Sequence, residues 1–143
     1  MYVKQISVFL ENSPGRMAEY TQFLGRNGVD LISLCVADTT NFGILRGIVA
    51  DYERAVKLIA QAGYTVKLTD VLVVSVPDRP GGLGEVIGLL AEQNVSIEYL
   101  YSIVRRSAEN AYIVIRVDDV EKADKVLRQG GVQLLSQEDV AAL

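Results

Sequence analysis

Two short stretches hold the residue types that recognition chemistry needs. Residues 12–17 read NSPGRM, and residues 78–83 read DRPGGL. Each sets a Pro-Gly step where an alternating apolar run gives way to a helical pattern. As a corner the step is ordinary: proline fixes φ for a turn or a first helical position, and glycine lets strand turn sharply into helix. The same residues also suit a receptor. A glycine without Cβ lets a ligand approach the backbone. The N–H groups at a helix start, helped by the helix dipole, bind a carboxylate. The residue two before the proline, Asn12 or Asp78, is placed to accept from an ammonium group. Arg16 either pairs with a carboxylate or extends into solvent. Asp78 is an anion and suits an ammonium better than neutral Asn12, and Gly82 leaves more room than Arg16. The second loop, with Asp78, Pro80, Gly81 and Gly82, is therefore the first candidate. Asn12, Gly15 and Arg16 of the first loop are the second.

Other chemistries lose their reagents. The 143 residues contain no histidine and one cysteine, Cys35. This removes the commonest general base, the commonest metal ligand and every Ser-His or Cys-His nucleophile. No metal site and no cofactor is expected, and the chain is read as non-enzymatic. PGGLG lacks the Gly-Lys-Ser/Thr ending of a phosphate loop. A net charge of −4 without a Lys/Arg cluster points away from nucleic acid. No run approaches the roughly 18 apolar residues of a membrane span, and the N-terminus is no signal peptide. A lone cysteine fits a reducing, cytoplasmic setting. It is expected to be a buried small hydrophobe.

An internal repeat supplies the elements that carry the two loops. At an offset of 66, Pro14, Gly15, Glu19, Leu24 and Val29 meet Pro80, Gly81, Glu85, Leu90 and Val95. Further on the offset becomes 68, and residues 42–51 meet 110–119. The polar stretch RRSAEN (105–110) absorbs the difference as a hairpin loop. Each half reads alike. A first strand covers 3–10, with Ile6, Val8 and Leu10 on one face. A helix follows Pro14 with Met17, Tyr20 and Leu24 at helical spacing, matched by the stripe Leu83, Val86, Ile87 and Leu90. Asn27-Gly28 and Gln93-Asn94 suit helix exits. Strands are expected at 31–37 and 43–50, and again at 97–104 and 111–117, with Asp38, Thr39 and Thr40 in a polar hairpin. Asp51 and Asp119 stand at N-cap positions. Gly63 and Gly130-Gly131 end the second helices. Last strands cover 64–68 and 132–135, a two-residue link covers 69–70, and a short helix closes the chain. Tyr99 and Tyr101 share a strand face, as core or contact residues. The fold class is α+β: two ferredoxin-like βαββαβ units, residues 1–69 and 70–143, with antiparallel sheets and helices on one face.

A βαββαβ unit with Pro-Gly before its first helix resembles the ACT domain. The pattern stands here as ENSPGRM…FLGRNGVDLISL and again as VPDRPGGLGEVIGLLAEQNVSIEYLYS. The resemblance implies a regulatory module that binds a small amino acid, at an interface between two ACT units. It extends the candidate set to Met17 and Leu83 after the glycines. It also adds Asn27 and Asn94 at the far helix ends, where a ligand can be faced across an interface or the helix simply capped. A homodimer is expected, with a metabolic enzyme as a further partner.

Overall fold

A computed structural model describes residues 2–38, 42–105 and 109–143. Thr39 and Thr40 of the expected hairpin, and residues 106–108 of the RRSAEN loop, lie outside the described residues. The first elements are β1 (Val3–Glu11), α1 (Arg16–Arg26), β2 (Leu31–Asp38), β3 (Phe42–Val49) and α2 (Tyr52–Gln61). Next come β4 (Thr65–Pro77), α3 (Gly82–Glu92), β5 (Ile97–Ser102), β6 (Asn110–Val117), α4 (Val120–Gln129), β7 (Gln133–Leu135) and α5 (Gln137–Ala141). The βαββαβ pattern occurs twice. The chain divides into two compact units, Lys4–Thr69 and Asp70–Ala141, with Tyr2 and Val3 grouped with the second.

One expectation is corrected at the seam. No link separates the halves: β4 runs for 13 residues, and Thr69 and Asp70 lie inside it. Polar side chains do not end a strand whose backbone groups keep their partners.

In the first unit the strands lie in the order β2-β3-β1-β4. β1 and β3 are antiparallel, with Ile6 opposite Gly47 and Val8 opposite Leu45. Ile6, Val8 and Leu10 face the helices and pack with Tyr20 and Leu24 of α1 and Ala55 and Ile59 of α2. Tyr20 is buried, its ring edge-on to Tyr64 at 5.1 Å between centroids. Desolvation raises the pKa of its phenol well above the ordinary value. In the second unit the order is β7-β4-β6-β5. Leu72, Val74 and Val76 pack there with Val86 and Leu90 of α3 and Ala123 and Leu127 of α4. Alternation along a strand and the helical stripe thus meet on one face of each sheet.

Three side-chain expectations change. Met17 is 45% exposed, because it sits in the overhanging first turn of α1. Cys35 is half-buried, because β2 is the end strand of its unit's order. β5 stops at Ser102, leaving Ile103 and Val104 beyond the strand. Tyr101 is buried and Tyr99 is half-buried.

Candidate functional site

The two Pro-Gly corners have nearly the same backbone. Gly15 lies at φ 86°, ψ −13°, and Gly81 at φ 87°, ψ −12°. These are left-handed conformations that glycine adopts without strain. Each glycine is the N-cap of its helix, and neither α1 nor α3 receives a side-chain cap. The second helices are built the other way. The N–H of Arg54 donates to Asp51 Oδ1 at 3.1 Å, and that of Lys122 donates to Asp119 Oδ1 at 3.0 Å. Helix starts leave orphan N–H groups. This chain caps them with carboxylates on α2 and α4 and with no side chain on α1 and α3.

Backbone bonds tie the corners in place. The N–H of Arg16 donates to Ser13 O at 3.3 Å, and that of Gly82 to Arg79 O at 3.0 Å. Each corner also carries one arginine held by the repeated glutamate. Arg16 Nη1 donates to Glu19 Oε2 at 3.2 Å; Arg79 Nη2 donates to Glu85 Oε1 at 2.9 Å. The two arginines come from different positions in the loop, one after the Pro-Gly step and one before it. Arg79, Glu19 and Glu85 were not singled out from sequence, although Glu19 and Glu85 are identical across the repeat.

Asn12, Asp78, Pro80, Gly15 and Gly81 are all exposed. Gly82 is buried. A Cβ there would run into the carbonyl oxygen of Pro77. The space freed by the missing side chain is therefore occupied by the end of β4, so the corner closes more tightly than its Arg16 counterpart. Leu83 packs against the second core. Asn27 and Asn94 lie at the opposite helix ends, about 16 Å away over 11 residues. Asn27 Nδ2 donates to Phe23 O at 2.9 Å, and Asn94 takes the left-handed φ of 56°. Both act as helix exits.

Concave surface adjoins the corners. In the first unit Asn12, Ser13 and Met17 line a groove of about 90 Å³ with Val36 and Leu45. On another flank Arg16 and Glu11 line one of about 210 Å³ with Phe9, Phe42 and Tyr64. In the second unit a groove of about 480 Å³ runs along Pro77, Glu85 and Leu89 to Gly131. Asp78, Gly81 and Gly82 do not line it. The structure thus brings Asn12 and Met17 together on one groove and sets Arg16 on another. Among the described residues no three of Cys, Asp and Glu gather as a metal-binding group. Among the described residues no helix is long and apolar enough to cross a membrane.

The fold has counterparts among known proteins. The family model of the ACT domain pair matches residues 1–143. The chain is similar to the crystal structure of protein BT0572 from Bacteroides thetaiotaomicron. That likeness has 40% identity and a TM-score of 0.92, covering 100% of this chain and 98% of that one. It is also similar in fold to the regulatory subunits of aspartate kinase from Thermus thermophilus and Thermus flavus. The first has 17% identity, a TM-score of 0.64 and coverage of 90% and 93%. The second has 18% identity, a TM-score of 0.59 and coverage of 90% and 90%. No curated protein matches the chain.

Proposed function

The chain belongs to the ACT domain pair family, and on that premise we propose that it is a non-catalytic regulatory protein whose Pro-Gly corners bind a small amino acid. The observation that carries this is the pair of left-handed glycine N-caps, alike within 1° in φ and ψ, on the two helices that receive no side-chain cap. A ligand α-carboxylate completes such a helix start, and the dipole favours its charge. Asp78 or Asn12 takes the ammonium. Gly81 and Gly15 give the approach; Met17 borders it beside Asn12, and Arg16 stands on the neighbouring groove.

A second copy of the chain completes the site. The groove beside Asn12 is about 90 Å³, small against the several hundred of ordinary ligand pockets. Beside it Leu34 and Val36 of β2 stand 44% and 43% exposed at the end of the unit's strand order. Uncovered apolar strands of this kind are normally protected, and a two-fold partner protects both at once. Ligand bridging two copies then shifts an assembly equilibrium, which turns binding into a signal. The setting is cytoplasmic. In the second reading the chain is a regulatory subunit of a separate enzyme of amino-acid metabolism. It rests on the likeness of fold to the regulatory subunits of aspartate kinase.

A thermal-shift screen of the twenty amino acids tests the proposal. A ligand selective for the native state adds about 2.7 kcal/mol at a hundredfold excess over Kd. At least one amino acid raises the melting temperature, Asp78→Ala reduces the shift, and Gly81→Val removes it. No shift with any of the twenty at millimolar concentration refutes ligand binding by the free protein. A stoichiometric enzyme recovered from native lysate then favours the subunit reading.

A further inference from the structure

The groove along β4 in the second unit measures about 480 Å³, within the roughly 300–1,000 Å³ of small-molecule sites. It lies beside the Ser75–Gln133 end of the β4–β7 pairing, at the Gly130-Gly131 turn, with Glu85, Val86 and Leu89 of α3 as its wall. The repeat shows how it arises. The corresponding groove of the first unit is less than half that volume. Three aromatic side chains line that copy: Phe9, Phe42 and Tyr64. Their repeat partners are Ser75, Asn110 and Val132, which line the larger groove. One copy of the hollow is narrowed by aromatic side chains and the other is open.

We infer that this open groove is a binding site for a small molecule carrying a protonated amine on an apolar body. Its charge is one-sided. Glu85 is the one ionisable side chain among the described residues that line it. The Gly130-Gly131 turn brings in the C-terminal end of α4, where the helix dipole is negative. Arg79 Nη2 donates to both Glu85 oxygens, at 2.9 and 3.0 Å, and an ammonium has to displace it; both side chains are more than half exposed, and such pairs hold weakly. A carboxylate or phosphate meets no basic lining residue; an ammonium meets the Glu85 carboxylate. Val86, Leu89 and Val132 offer the body an apolar wall. Ser75, Asn110 and Gln133 add hydroxyl and amide partners at the other side. Gly130 keeps the wall close, since a Cβ there would lie 2.6 Å from Leu89 Cδ1. The inference goes beyond the amino-acid reading, because Asp78, Gly81 and Gly82 take no part in the groove.

The test uses the ¹⁵N-labelled full chain and two probes of matched shape, phenethylamine and 3-phenylpropionate. The amine shifts the backbone amides of Gly130, Gly131, Val132 and Gln133 in a saturable way; the acid does not. Glu85→Gln weakens the amine by about two- to fivefold. Ser75→Phe with Val132→Tyr copies the first unit and abolishes binding. If that pair fails to fold, Glu85→Gln still decides. Shifts confined elsewhere, equal response to the acid, or undiminished affinity in Glu85→Gln overturns the inference. A null amino-acid screen with a positive amine titration leaves this site standing and removes the other.

Discussion

Replacing Gly82 by Ala separates two roles of that residue, a gap for a ligand or a close approach of the chain to itself. The added Cβ points at the Pro77 carbonyl, with the carbonyl carbon at 3.1 Å and the proline Cβ at 3.4 Å. The obstacle is backbone at the end of β4, not the tip of a flexible side chain. Overpacking of this kind costs about 1–3 kcal/mol. Removing glycine's extra freedom in the unfolded chain returns about 0.4–1 kcal/mol. A net loss of about 1–2 kcal/mol is expected. Gly88 in the same helix is the control, since nothing lies within 4 Å of a Cβ built there. Gly88→Ala should gain about 0.5–1 kcal/mol from helix propensity. Urea unfolding followed by circular dichroism reads both as midpoint shifts at constant slope. The two variants must move in opposite directions. A Gly82→Ala protein as stable as the parent refutes the close approach and restores the gap.

Asp119→Ala removes the N-cap of α4 and should cost about 1 kcal/mol, read by the same unfolding experiment; Asp51→Ala does likewise for α2. Tyr20→Phe addresses alkaline pH. The folded-state pKa of Tyr20 lies above its unfolded value of 10.0, so its contribution is whole below pH 10 and lost as pH rises beyond it. The parent should lose up to about 1.4 kcal/mol per pH unit there through this group, and thermal melts of Tyr20→Phe should lose less. Asp139 accepts from the N–H and hydroxyl of Ser136, both at 2.8 Å, which lowers its pKa. Its stabilisation is present above the ordinary carboxylate range and lost as pH falls through the depressed value. Ser136→Ala should raise the Asp139 pKa in an NMR titration.

Much of the frame was legible because it is written twice. Pro14-Gly15 and Pro80-Gly81 located both corners, and Asp51 and Asp119 located both caps. The merged strand was not legible. Thr69 and Asp70 are polar, and nothing in a single sequence shows that backbone partners continue past them. Met17 fits a helical stripe yet is exposed, because a stripe fixes a direction but not how far the sheet extends beneath the first turn. Gly82 looked like spare room, since composition cannot show a carbonyl arriving from five residues earlier. The grooves were hidden for a related reason. Their volumes depend on side chains from β1, β3 and the turn after α2, and on their counterparts in the second unit. Those residues converge only when two different repeat offsets are combined.

The unbroken strand has a practical consequence for anyone who would take the molecule apart. A repeat invites division into two expressible halves, cut where the pattern restarts. Here that cut falls inside β4, between Thr69 and Asp70. The amino-terminal fragment would end on a raw strand terminus, and the carboxy-terminal fragment would begin on one. Each would place a new charged chain end inside a strand that the intact polypeptide runs unbroken. Boundaries for fragments, fusions or inserted tags belong instead at surface positions away from β4, and a split reporter divided at the seam would need its two pieces to restore one strand.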